Sequence, residues 1–85
     1  ACSGRIRGRI DEAIAILEEV YEAARDDPES TGILAGALKR KYRRDHLREA
    51  LVKSHGLYHD GWNRDRTNAY LGINAATTAL LLGRE

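Results

Sequence analysis

The sequence predicts an all-α protein, an antiparallel array of about four helices. Its apolar residues are dominated by 12 Ala and 10 Leu, with only two Val and no Phe, and this inventory favours helix over sheet. Apolar residues recur at steps of three and four along the chain, and no segment alternates as a strand would. A single proline leaves room for long uninterrupted helices.

The first helix is predicted over residues 9–26. Ile14, Leu17 and Tyr21 lie on one face at helical spacing, and acidic residues occupy the opposite face. The helix should end just before Pro28, because proline disfavours helical geometry in the residue that precedes it.

The second helix is predicted over residues 28–44, with Asp27 as its cap and Pro28 in its first position. Gly32 and Gly36 lie four residues apart within it. Glycine inside a helix costs about 1 kcal/mol relative to alanine, so this pair predicts the close approach of a neighbouring helix. The apolar stripe consists of Ile33, Leu34, Ala37, Leu38 and Tyr42.

The third helix is predicted over residues 46–60, capped by Asp45 and stopped by Gly61. The polar stretch 60–68 is then the longest loop of the chain. Trp62 lies in this loop, where it either packs the loop against the core or anchors a partner.

The fourth helix, predicted over residues 68–82 and ended by Gly83, is apolar nearly all round. We assign its core-facing stripe to Tyr70, Ile73, Ala76 and Leu80. A second apolar stripe then remains uncovered and predicts self-association, most simply as a two-fold homodimer. This second stripe consists of Leu71, Ala75, Ala79 and Leu82.

The charges are segregated, although the formal net charge is only +1. Residues 11–30 carry eight acidic residues against one arginine, and residues 31–66 carry nine basic residues against four acidic ones. Opposed blocks of this kind suggest elements that attract one another, or an assembly with a defined orientation. The single cysteine excludes an internal disulfide framework, and the longest apolar stretch is too short to span a membrane.

The densest basic cluster is the segment 39–44, which holds five basic residues and Tyr42. It predicts contact with an anion, either an acidic protein surface or nucleic acid, or else a solvated helix end whose cations complement the helix dipole. Asn74 is polar in an apolar helix, and its amide either binds a peptide backbone or bonds locally or between helices. The candidate partner-binding residues are therefore Lys39, Arg40, Arg43, Arg44 and Asn74.

No catalytic, cofactor-binding or metal-binding residue is predicted. The serines lack the context of an activated nucleophile, and no glycine-rich loop follows a strand. His55 and His59 lie one helical turn apart, but no third ligand is well placed, so we interpret them as groove or surface histidines.

The chain contains an internal repeat of helix pairs. Glu12-Ala13-Ile14 matches Glu49-Ala50-Leu51 at an offset of 37 residues, and Gly32-Ile33 matches Gly72-Ile73 at an offset of 40. This period, with small residues at Gly36 and Ala76 and at Ala13 and Ala50, resembles tetratricopeptide repeats. The resemblance implies stacked helix pairs that present a surface to a protein partner.

Residues 70–83 carry a more specific motif, which reads Tyr70-Leu71-Gly72-Ile73-Asn74-Ala75-Ala76-Thr77 and then Leu80-Leu81-Leu82-Gly83. It resembles the tyrosine-proline-glycine-isoleucine-asparagine-alanine-alanine-threonine stretch of the TRAF-binding tetratricopeptide region, found in apoptosis signal-regulating kinases and in bacterial proteins. The resemblance covers roughly residues 28–83, and Leu71 replaces the family's usual proline. It implies a non-catalytic regulatory scaffold.

We therefore expect residues 1–85 to form a single helical-repeat domain, a section of a larger cytoplasmic solenoid. Its expected function is non-catalytic scaffolding, through a protein or peptide partner, in a regulatory or signalling protein. The alternative is a nucleic-acid-associated module that uses the basic segments 5–9 and 39–44.

Overall fold

A chain of four α-helices, each packed against the next, is the architecture of the computed structural model. The structure describes the backbone of residues 2–84 and the side chains of residues 9–84. The helices are α1 (Cys2–Ala23), α2 (Pro28–Asp45), α3 (Arg48–Arg64) and α4 (Ala69–Arg84). In addition to the consecutive pairs, α2 contacts α4. The described residues contain no strand, which confirms the all-α prediction, and no helix among them is both long and apolar enough to cross a membrane.

The start of α2 forms as the sequence predicts. Asp27 is the N-cap, and its carboxylate accepts hydrogen bonds from the backbone N–H groups of Glu29 at 3.2 Å and Ser30 at 3.3 Å. The Ser30 hydroxyl also donates to this carboxylate at 2.8 Å. These bonds favour the ionised form and lower the pKa of Asp27.

The link between α2 and α3 differs from the prediction. Asp45 does not cap α3 but is the last residue of α2, where its carboxylate pairs with Arg44 at 3.0 Å. The chain turns at His46, which has a left-handed φ of 56° and donates its backbone N–H to the Tyr42 carbonyl at 2.7 Å. α3 therefore begins without a side-chain cap at Leu47.

Gly61 does not end α3, which continues to Arg64. Gly61 is buried, and a Cβ on it would lie 2.9 Å from Leu71 Cδ1 and 3.2 Å from Thr31 Cγ2. The glycine is thus required where α2, α3 and α4 meet, and not for a turn. The loop predicted over residues 60–68 is therefore shorter, because α3 extends to Arg64. Trp62 lies within this helix, against Gly72 of α4.

Of the two glycines predicted to admit a neighbouring helix, only Gly32 does so. A Cβ on Gly32 would lie 2.9 Å from Tyr70 Cε1. A Cβ on Gly36 would be at an ordinary contact distance, 3.5 Å from the Tyr58 hydroxyl. The close-approach prediction is therefore wrong for Gly36.

Two clusters of buried apolar residues lie in the core of the described chain, and α2 contributes to both. One lies between α1 and α2, with Leu57 of α3 at its edge, and the other joins α2, α3 and α4. A buried hydrogen bond of 2.7 Å from the Ser54 hydroxyl to the Ala35 carbonyl also ties α3 to α2. The first cluster contains Ile14, Leu34, Ala37 and Leu38, and the second contains Ala35, Tyr58, Leu71 and Ala75.

The stripe of α4 that faces the core differs from the one predicted. Leu71 is fully buried and Ala75 is buried, whereas Tyr70, Ile73 and Leu80 are 57%, 66% and 67% exposed. The buried stripe continues through Thr78, whose hydroxyl donates to the Asn74 carbonyl at 2.8 Å. Because this bond satisfies the hydroxyl within the helix, Thr78 can occupy a core position although its side chain is polar.

The repeat alignment places Ala13 and Ala50 at equivalent positions, but only Ala50 is buried. α3 packs between α2 and α4, whereas the described backbone of α1 contacts α2 alone. Among the described residues, Ala13 therefore has no second helix to pack against, and the equivalence that the repeat alignment predicts does not hold at this position.

Candidate interaction surface

The basic end of α2 and the first half of α4 lie side by side and form one surface. Lys39 Nζ donates to Asn74 Oδ1 at 3.4 Å, which links the two helices. Ile33 and Tyr70 line a shallow depression at the other end of the same helix pair. We call this the α2–α4 surface, and it comprises Ile33, Lys39, Arg40, Arg43, Tyr70 and Asn74.

The basic cluster of α2 divides into two groups. Lys41 faces α1 and pairs with Asp11 at 2.8 Å, and Arg44 pairs with Asp45. Arg44, predicted as a partner-binding residue, is thus engaged within the chain and does not belong to the α2–α4 surface.

The second group, Lys39, Arg40 and Arg43, lies on the α2–α4 surface. Within the part of the chain whose side chains are described, none of the three is paired with a carboxylate. Partial burial and the neighbouring charge of Arg43 lower the pKa of Lys39. An anion bound here would relieve the repulsion between Lys39 and Arg43, so the arrangement favours an acidic ligand.

Aromatic side chains support the surface from below. The rings of Tyr58 and Tyr70 meet edge to face, with their centroids 6.1 Å apart. Tyr58 is buried, and burial, together with a hydrogen bond to Tyr70, raises its pKa. Tyr70 lies over Gly32 and remains largely exposed. Its ring is therefore held in place and accessible beside the cations of Lys39, Arg40 and Arg43.

Asn74 makes the local and interhelical bonds that we considered as the alternative to peptide binding. Its Nδ2 donates to the Tyr70 carbonyl at 2.9 Å, and its Oδ1 accepts from Lys39. In this arrangement the amide orients the lysine over the interface of the two helices.

His55 and His59 stack with ring centroids 5.6 Å apart, and His55 Nδ1 lies 3.0 Å from the Thr78 hydroxyl. His55 thus joins α3 to α4. Among the described residues, no three His, Cys, Asp or Glu side chains are grouped to hold a metal ion.

The exposed apolar side of α4 lies elsewhere than predicted. We call it the outer face of α4, and it comprises Ile73, Ala76 and Leu80. Of the residues predicted for self-association, Ala79 is exposed and Leu82 is half-buried, but Leu71 and Ala75 are enclosed in the core. The basic segment 5–9 lies outside the residues whose side chains are described, except for the exposed Arg9.

Comparison with known proteins agrees with this architecture of stacked helices. The model of one family, described as tetratricopeptide repeats-sensor, matches residues 1–81. No curated protein and no solved structure matches the chain. Because the family match covers almost the whole sequence, the chain belongs to the tetratricopeptide repeats-sensor family.

Proposed function

We propose that this chain is a non-catalytic protein–protein interaction module whose α2–α4 surface binds an acidic segment of a partner protein. The observation that carries the proposal is the placement of Lys39, Arg40 and Arg43, which lack carboxylate partners in the described part of the chain. The exposed Ile33 and Tyr70 add apolar contact area beside these cations. Membership of a tetratricopeptide family supports an interaction role.

In the wider protein, the chain would be one domain of a longer helical solenoid in a cytoplasmic regulatory or signalling protein. The motif at residues 70–77, which resembles the TRAF-binding region of apoptosis signal-regulating kinases, supports a regulatory role. The word sensor in the description of the matching family points the same way.

Self-association is the second part of the proposal. The outer face of α4 exposes Ile73 and Leu80, and an uncovered apolar face of this kind favours a dimer in which the two copies of α4 meet. The interface would therefore use the outer face of α4 and the exposed Ala79, and not Leu71 or Ala75.

The binding proposal is tested with a fluorescein-labelled peptide of alternating Glu and Leu, measured by fluorescence anisotropy. The double variant Lys39→Ala/Arg43→Ala should weaken binding by about tenfold, since two charge contacts are lost. Arg48→Ala removes an exposed cation at the start of α3 and is the matched control. No binding, or equal binding by all three proteins, would contradict the proposal.

The same proteins should be titrated with generic DNA and RNA over a range of salt concentrations. Binding of a nucleic acid more tightly than the acidic peptide, with a steep loss of affinity as salt rises, would favour the nucleic-acid alternative. The proposal expects no such preference.

A further inference from the structure

A groove lies between α1 and α3, on the side of α2 away from the α2–α4 surface. Among the described residues, the backbones of these two helices do not contact one another, and α2 forms the floor between them. The groove has a volume of about 330 Å³. We call it the α1–α3 groove, and it is lined by Glu18, Tyr21, Glu22, Leu34, Leu38, Lys53, Gly56, Leu57 and Asp60.

The floor of the groove is apolar, and its rim is acidic. Leu34 and Leu38 form the floor from α2, and Tyr21 and Leu57 form the lower walls. Three carboxylates and one ammonium group stand on the rim, which gives the groove a net negative charge. The charged residues are Glu18, Glu22, Lys53 and Asp60.

Two of these carboxylates are available to a ligand. Glu22 is held by Arg25, with a shortest contact of 2.7 Å. Glu18 of α1 and Asp60 of α3, on opposite walls, have no hydrogen-bond or ion-pair partner among the described residues. A cation placed between the walls would therefore meet two unpaired carboxylates, with the ammonium group of Lys53 as the one positive charge among the lining residues.

Gly56 supplies an independent observation. It lies inside α3, where a glycine costs about 1 kcal/mol relative to alanine. Gly32, Gly61 and Gly72 each have a neighbour that a Cβ would crowd, but a Cβ on Gly56 would meet nothing within 4 Å. Packing within the chain thus gives no reason for this glycine, whereas close approach of a ligand to the α3 backbone would be one.

The dimensions of the groove match a short extended peptide. The wall of α3 runs from Lys53 to Asp60, about 10 Å along the helix at 1.5 Å per residue. About three residues of extended chain cover this distance, and alternate side chains of such a segment point the same way.

We propose that the α1–α3 groove binds a protein segment with an aliphatic residue followed two positions later by lysine or arginine. The aliphatic side chain would rest on Leu34 and Leu38, beside the bare backbone of Gly56. The basic side chain would reach the carboxylates of Glu18 and Asp60. This site is separate from the α2–α4 surface and of opposite charge, so the two proposals stand or fall independently.

The test is a selection from a phage library of random short peptides. The library is panned on the wild-type protein after depletion on Gly56→Leu. A Cβ at this position has no neighbour within 4 Å, and the rest of the leucine side chain would occupy the groove. Acidic peptides that bind the α2–α4 surface are removed in the depletion step. The enriched sequences should carry Leu, Ile or Val two positions before Lys or Arg.

Affinities of an enriched peptide then locate its site. Gly56→Leu should weaken binding about tenfold or more. The double variant Glu18→Gln/Asp60→Asn should weaken it about two- to fivefold, because exposed ion pairs contribute little to affinity. Lys39→Ala/Arg43→Ala should leave binding unchanged. The two carboxylate substitutions are exposed and conservative, so they test the site even if Gly56→Leu does not fold. Failure to enrich any such sequence, or equal binding by the wild type and the carboxylate variant, would overturn the proposal.

Discussion

Gly61→Ala provides the sharpest test of how α2, α3 and α4 meet. The new methyl group would lie 2.9 Å from Leu71 Cδ1 and 3.2 Å from Thr31 Cγ2, whereas carbon atoms in favourable contact are about 3.5–4.0 Å apart. Leu71 and Thr31 are both almost completely buried, so neither can move without disturbing the core. Crowding of this kind costs about 1–3 kcal/mol.

The matched control is Gly56→Ala, because a Cβ there has no neighbour within 4 Å. Both substitutions gain about 1 kcal/mol of helix propensity, so the difference between the two variants isolates the cost of crowding. We expect Gly56→Ala to be more stable than Gly61→Ala by about 1–3 kcal/mol in urea denaturation. In a domain of this size, each 1 kcal/mol shifts the melting temperature by about 4–8 °C. If Gly61→Ala is as stable as Gly56→Ala, α3 and α4 are not packed as described.

Three further predictions concern the helix ends and the outer face of α4. His46→Gly should stabilise the protein by about 1 kcal/mol in urea denaturation, because His46 adopts a φ of 56° that glycine reaches without strain. Because the pKa of Asp27 is lowered in the folded protein, its charged carboxylate stabilises the fold above about pH 4. This stabilisation is lost as the pH falls through the native pKa. Asp27→Asn should therefore be less stable than the wild type at neutral pH in thermal melts, and the difference should vanish at low pH. Leu80→Glu should shift the mass measured by light scattering from dimer to monomer, whereas Arg48→Glu should not; a monomeric wild type would contradict the proposed dimer.

The helical content could be predicted from sequence because apolar residues recur at helical spacing along the chain. At the start of α2, Asp27 and Pro28 act locally, and the structure confirms both roles. Gly61 shows the limit of such local signals. A glycine near the expected end of a helix predicts that the helix ends there. Here, however, the role of Gly61 depends on Leu71 and Thr31, which lie on other helices.

The candidate sites show the same limit. The sequence marks Lys39, Arg40 and Arg43 as members of a basic cluster, but only the contacts with Asp11 and Asp45 separate them from Lys41 and Arg44. The orientation of α4 was not predictable, because a helix that is apolar all round has no polar face to turn outward. The α1–α3 groove leaves no sequence motif, since its residues come from three helices and Gly56 alone hints at it.

The division of the core along α2 has a consequence for how the protein opens. In the part of the chain that the structure describes, the backbone of α1 contacts α2 and no other helix. α1 can therefore detach at the cost of one cluster while the other keeps α2, α3 and α4 together. Opening of this kind is a partial unfolding, and backbone amides of residues 10–23 should exchange with deuterium faster than those in the middle of α3. A ligand in the α1–α3 groove touches both α1 and α3, and it would slow this exchange by holding α1 in place.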